Sequence, residues 1–258
     1  MSSIKAAFKF LAFALLCLAI VPLQSLVLFF TKGEKAYFLP KVFHKITCWI
    51  FGIKIKKTGQ VSQAPQTLFI SNHISYLDIP ALGSLIPGTS FVAKRDVEKW
   101  PVFGFLSKLQ QTAFISRSRS DAAKETRNIA AALKNNKNLI LFPEGTSTDG
   151  QEVRPFKSSL FALALENDSK ELQLQPITIS VLSANGQKPQ TQEQRDIYAW
   201  HINMDTPLAP HLWDFAKGNG AIIQITFHPP LQSTLYNDRK TLAKECHDTV
   251  SKGLAKAA

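Results

Sequence analysis

Cysteine is scarce in this chain of 258 residues: Cys17, Cys48 and Cys246 are the three, and they lie far apart. No two form a CxxC pair, so neither a zinc site nor a disulfide framework is indicated, and a reducing compartment is the simpler setting. Acidic residues are also few. There are 19 Asp plus Glu against 30 Lys plus Arg, which leaves a formal net charge of +11. That field favours an anionic partner: nucleic acid, an anionic membrane or a phosphorylated substrate. No internal repeat, low-complexity segment, GxSxG nucleophile elbow or base-reading motif occurs. The missing elbow argues against a serine hydrolase of lipids. The missing base-reading motif argues against a nucleic-acid binder, which the apolar N-terminus also contradicts. The hydrophobic fraction of 45% excludes both a disordered chain and a polytopic transporter. This length predicts one sizeable domain, or one domain with an appendage.

What the chain does have is one long apolar run near its start. Leu11 to Phe30, LAFALLCLAIVPLQSLVLFF, carries no charge, with Lys5 and Lys9 before it and Lys32 and Lys35 after it. A straight helix of that length rises roughly 30 Å, the thickness of a bilayer core. It is long for a signal peptide, and no clear A-x-A site ends it. A spanning helix fits; so does a bent helix in one leaflet, given Pro22, Gln24 and Ser25. The next stretch, FLPKVFHKITCWIFGIKIKK from Phe38 to Lys57, places Leu39, Val42, Phe43, Ile46, Trp49 and Ile50 on a helical stripe. Lys41, His44 and Lys45 fall off it. Such a basic amphipathic helix either lies in a membrane interface or packs on the domain's own core. The expected organisation is a membrane-anchoring helical segment over residues 1–57 and one larger domain over residues 58–258.

The remainder alternates. Short apolar runs at Thr67–Ile70, Ser90–Ala93, Thr112–Ile115, Leu139–Phe142, Gln175–Val181 and Ala221–Phe227 read as buried strands. Helical stretches at Ser120–Lys134, Lys157–Glu166 and Asp238–Leu254 separate some of them. The pattern predicts an α/β fold with a mixed, largely parallel sheet flanked by helices. Sites in such sheets gather where strands end and loops begin.

Three strand ends carry chemistry. SNHISYLDIP follows the first strand, so His73 sits at a strand end with Asp78 five residues on. The bland reading makes Asp78 a helix cap before Pro80. If the chain turns so that the two meet, the aspartate fixes the ring tautomer and leaves the other nitrogen free to take a proton. FPEGTSTDG follows Leu139–Phe142, with Glu144 and Thr146 as polar side chains and backbone N–H groups at Thr146 and Ser147. FISRSRSD carries Arg117 and Arg119.

In order and spacing these stretches resemble the four blocks of the 1-acyl-sn-glycerol-3-phosphate acyltransferase family. NHISYLD is similar to its catalytic block, FISR to the second, FPEGTS to the third and LQPITI, with Pro176, to the fourth. FVAKRDVEKWPVFG is also similar, and the resemblance covers roughly residues 38 to 230. It implies a glycerol-3-phosphate acyltransferase-like fold with His73 and Asp78 catalytic. It also implies that Lys94, Arg117, Glu144, Gly145, Thr146, Ser147 and Lys157 bind substrate. The family's third block commonly ends in an arginine where this chain has Ser147. EGTSTDG and YAWHINMD…PHLW, Tyr198 to Trp213, look more like the branch that includes lyso-ornithine-lipid acyltransferases.

The reaction so implied moves an acyl group from acyl-CoA or acyl carrier protein to a lysolipid hydroxyl, with neither cofactor nor metal. Glycerophosphate acceptors rank first and a lyso-ornithine lipid second. The expected partners are membrane lipids, the lysolipid and the acyl carrier, not nucleic acid. The site is expected at the cytoplasmic face of the inner membrane. A catalytically silent membrane-binding protein of the same fold is the non-enzyme rival, and it would be favoured if His73 or Asp78 were missing.

Overall fold

The computed structural model describes residues 2–31, 34–115, 138–166 and 172–257. The expected helix at Ser120–Lys134, together with Arg117 and Arg119, lies outside the described residues.

Eight strands among the described residues form one sheet: β1 (Ile53–Thr58), β2 (Gln66–Ser71), β3 (Thr89–Lys94), β4 (Ala113–Ile115), β5 (Asn138–Leu141), β6 (Leu172–Ala184), β7 (Ala221–Phe227) and β8 (Leu231–Gln232). Their order is β1-β7-β6-β2-β5-β3-β4, with β8 paired to β6. Only β7 and β8 run antiparallel to the β6 they pair with, so the sheet is mixed and largely parallel. Successive residues of β2 and β5 serve opposite faces, as the pleat requires. Phe69 and Ile140 join the larger core, whereas Leu68, Ile70, Leu139 and Leu141 join the smaller. All of these are buried, and each contributes roughly 1.5–3 kcal/mol.

The larger core is covered by α1 (Ser2–Phe30), α2 (Phe38–Phe51) and α3 (Asp78–Leu85). The smaller lies under the helices Ala162–Glu166 and Arg239–Ala257. A short helix α4 (Phe103–Leu109) follows β3.

α1 lies along the domain and is tied to it near both ends. Lys5 Nζ donates to Asn219 Oδ1 at 2.8 Å, and Gln24 Nε2 donates to Ala36 O at 3.0 Å and Leu109 O at 3.3 Å. Between them, Phe10 and Phe13 meet Phe51 at ring distances of 5.9 and 5.8 Å. Its other face, with Leu11, Leu15 and Leu18, is exposed.

Two readings of the stretch 38–57 are corrected. Its last residues are not helix: Gly52 ends α2 with φ +77°, and Ile53 starts β1, which runs parallel to β7. Ile-Lys-Ile-Lys alternation is a strand period, and the preceding helix masks it. The buried stripe is also rotated. Trp49 is 81% exposed, while His44 is buried. His44 Nε2–H donates to Gln110 Oε1 at 3.1 Å, and burial pushes the imidazole down to about 4, so it packs as a neutral ring. The division at 57/58 passes through β1.

Candidate active site

Parallel neighbours deliver their C-terminal ends to one edge, and β2, β5, β3 and β4 are consecutive in the sheet. The loops after Ser71 and Leu141 therefore emerge side by side, with Ile70 paired to Leu141. β3 ends at Lys94, two strands from β2 and so roughly 10 Å away at the backbone.

The first loop turns tightly. Asn72 fastens it to the neighbouring strand: its Nδ2 donates to Ile179 O at 2.9 Å, and Ile179 N donates to its Oδ1 at 2.7 Å. The chain then curls around the Asp78 carboxylate. Ile74 N and Ser75 N donate to Asp78 Oδ2 at 2.7 and 2.9 Å, and His73 Nδ1 lies 2.8 Å from the same oxygen. Asp78 has no exposure. It opens α3 but caps nothing, since the N-cap residue is Leu77 and no side-chain cap bond forms. The carboxylate is an anion acceptor in a ring of N–H donors, which makes Nδ1 the protonated nitrogen of His73. Nε2 then holds a lone pair, has no hydrogen-bond partner among the described residues, and belongs to a side chain that is 21% exposed. Phe142 stacks on the ring, 4.2 Å between centroids.

The second loop supports the first from behind. Glu144 is buried, and both its oxygens are occupied by backbone donors: His73 N at 2.7 Å and Arg154 N at 2.8 Å. Burial pushes this carboxyl up to about 7, against those two bonds, which pull it down. Glu144 therefore holds the backbone of His73. Gly145 adopts φ +69°, and a Cβ there would come within 2.3 Å of Lys157 Nζ, so the ammonium sits over the turn. Thr146 and Ser147 are half-buried, and their N–H groups meet no acceptor among the described residues. Thr148 N donates back to His73 O at 2.9 Å.

Ser147 stands where the resemblance leads one to expect an arginine, and its Oγ donates to Trp200 O at 2.6 Å. Trp200 N in turn donates to Ile74 O at 3.0 Å. The segment around Tyr198 and Trp200 thus clasps both loops. Tyr198 is buried and donates from its hydroxyl to Asp78 Oδ1 at 2.9 Å. Tyr76, inside the His73–Asp78 stretch, turns away and donates to His211 Nδ1 at 2.8 Å. Aromatic rings flank this side: Trp200 meets Tyr76 at 5.8 Å and Trp100 at 6.3 Å.

Of the residues singled out in the sequence, His73, Asp78, Glu144, Gly145, Thr146, Ser147 and Lys157 share these two loops and their surroundings. Lys94 ends a strand on the same edge, and Arg117 lies outside the described residues. Tyr198, Asn72 and Phe142 were not assigned individual roles. The branch-like stretch beginning at Tyr198 was the one signal for the first.

A family profile described as Acyltransferase matches residues 52–180. A lyso-ornithine lipid O-acyltransferase of Brucella abortus is 34% identical over 244 residues, covering 93% of this chain and 90% of that protein. A 1-acyl-sn-glycerol-3-phosphate acyltransferase of Neisseria meningitidis is 28% identical over 184 residues, covering 71% of this chain and 67% of that protein. The crystal structure of the 1-acyl-sn-glycerophosphate acyltransferase PlsC of Thermotoga maritima superposes with a TM-score of 0.69 at 19% identity, covering 99% of this chain and 97% of that one.

Proposed function

The chain belongs to the acyltransferase family, and from that premise we propose that it transfers a fatty acyl group from acyl-CoA or acyl carrier protein to the free hydroxyl of a lyso-ornithine lipid. The observation that carries the chemistry is the open Nε2 of a histidine whose Nδ1 is held by a fully buried carboxylate. His73 Nε2 takes the proton of the acceptor hydroxyl as its oxygen attacks the thioester carbonyl. A positioned base contributes typically about 10²–10⁴-fold. Asp78 balances the imidazolium that forms. The carbonyl oxygen becomes an oxyanion in the tetrahedral intermediate, and the N–H groups of Thr146 and Ser147 are the donors offered to it. Collapse breaks the C–S bond. The imidazolium returns its proton to the leaving thiolate, and an ester and a free thiol result. Among the described residues no serine hydroxyl is hydrogen-bonded to His73 Nε2, as a covalent route through serine would require; the Ser147 hydroxyl is bonded to Trp200 O.

Two observations support the acceptor. The Brucella relative matches 93% of the chain, against 71% for the Neisseria one. The position of the missing arginine is filled by Ser147, whose hydroxyl is bonded to Trp200 O. Lysophosphatidic acid, the acceptor ranked first on the sequence, becomes the second reading, favoured by the Lys157 ammonium over Gly145, which offers a cation to a phosphate. Initial rates with one acyl donor and each acceptor separate them. Faster turnover of lyso-ornithine lipid supports the first reading, and faster turnover of lysophosphatidic acid replaces it with the second.

The setting follows from α1. The bonds that fix α1 to the domain from Lys5 to Gln24, with Leu11, Leu15 and Leu18 exposed on its other face, support a helix that lies in one leaflet rather than one that spans the bilayer. The proposed donors, acyl-CoA and acyl carrier protein, are cytoplasmic thioesters, and on that ground we infer a site at the cytoplasmic face.

A further inference from the structure

We propose that Tyr198 is a positioning residue for the His73–Asp78 pair, its phenol hydroxyl fixing the plane of the Asp78 carboxylate so that Oδ2 faces His73 Nδ1. The inference rests on the proposed role of that pair. Asp78 distributes its hydrogen bonds unevenly. Oδ2 accepts from His73, Ile74 and Ser75, whereas Oδ1 accepts from Tyr198 alone among the described residues. With both oxygens occupied, rotation about the Cβ–Cγ bond would break bonds at both. With Oδ1 empty, a buried anionic oxygen lacks a donor, and the carboxylate turns to share the remaining ones.

Tyr198 is built for this. Both it and Asp78 have no exposure, so bulk water does not reach the bond between them. Burial and the adjacent Asp78 charge raise the phenol well above its ordinary value, which keeps the hydroxyl a donor. The ring packs edge-on against Phe215 at 6.3 Å. Its backbone is held on both sides: Tyr198 N donates to Arg195 O at 3.1 Å, and Trp200 N donates to Ile74 O at 3.0 Å. Arg195 is itself paired with Asp149 at 3.1 Å, in the loop that carries Ser147. One segment thereby ties the base, its carboxylate and the Glu144–Asp149 turn together. The competing explanation is that Tyr198 fills the core and its hydroxyl merely needs a partner.

The test is Tyr198→Phe in the purified full chain, with melting temperature, kcat, KM for donor and acceptor, and the His73 Nδ1–H proton resonance. That resonance is assigned by its absence from His73→Ala. We expect kcat per folded enzyme to fall about tenfold, less than the loss of the base itself. Both KM values stay within about twofold, and the resonance moves. A folded Tyr198→Phe with wild-type kcat and an unmoved resonance overturns the inference and leaves core filling. If Tyr198→Phe does not fold, a ring-fluorinated tyrosine at 198 keeps the shape and the hydroxyl while strengthening the donor. The resonance and kcat must then change, and constancy of both overturns the inference equally. An active His73→Ala would end the reading of the pair itself. An inactive His73→Ala beside an unaltered Tyr198→Phe ends only the role of Tyr198.

Discussion

At the scale of single residues the site is a set of buried polar groups that satisfy one another. Glu144 gives the clearest pH signature. Burial raises it to about 7 in the folded protein, well above its unfolded value. Between those two values the folded protein keeps a proton that the unfolded chain has released. The contribution to stability is therefore complete below the unfolded value and is lost as pH rises through about 7, an effect of at most about 3 kcal/mol. Glu144→Gln cannot titrate, so urea unfolding between about pH 5 and 8 should show a shallower decline of stability than wild type. Equal slopes would assign the titration to another group. His73 and Asp78 were legible in the sequence because strand end, base and carboxylate fall within ten residues. Glu144 was legible as a site residue but not as a support for His73. Its partners His73 N and Arg154 N become visible only when β2 and β5 are neighbours. Tyr198 is 120 residues from Asp78, and no local pattern announces a bond of that separation.

At the scale of elements, the site depends on how α3 is seated, because Asp78 is its first residue. α2 and α3 touch closely: a Cβ at Gly83 would come within 2.4 Å of the His44 ring. That ring is buried, with Phe43, Phe91 and Gln110 against it, and moving it would strain its bond to Gln110. Gly83→Ala should gain about 1 kcal/mol of helix propensity and lose about 1–3 kcal/mol to overpacking, for a lower melting temperature overall. Activity should fall further than stability, since α3 must shift and Asp78 with it. A variant with unchanged melting temperature and activity would show that the contact yields freely. Six of the eight described strands were readable from apolar runs, while β1, the two-residue β8 and the rotation of α2 were not. In α2 the apolar stripe is broad enough for two orientations, and packing against α1 and α3 chooses the one that buries His44 and exposes Trp49. The helix Leu208–Lys217 was missed as an element, although its sequence had been noted.

At the scale of the whole molecule, an apolar face and a charge of +11 belong to the same object as the edge that carries His73 and Asp78. Leu11, Leu15 and Leu18 lie on the exposed face of α1, whereas Phe13 is packed on the core. Leu15→Asp combined with Leu18→Asp should leave the fold intact and weaken flotation with anionic vesicles, whereas Phe13→Asp should lower the melting temperature. Undiminished flotation of the double variant would put the main lipid contact elsewhere on the domain. The most direct test of the central claim, that His73 takes the proton of a lysolipid hydroxyl, is the initial rate of acyl transfer by the purified full chain and by His73→Ala. Both are assayed with one thioester donor and vesicle-borne lysolipid. His73→Ala should melt within a few degrees of wild type and lose at least about 10²-fold in rate. A folded His73→Ala that turns over at the wild-type rate, free of host enzyme, would contradict that claim.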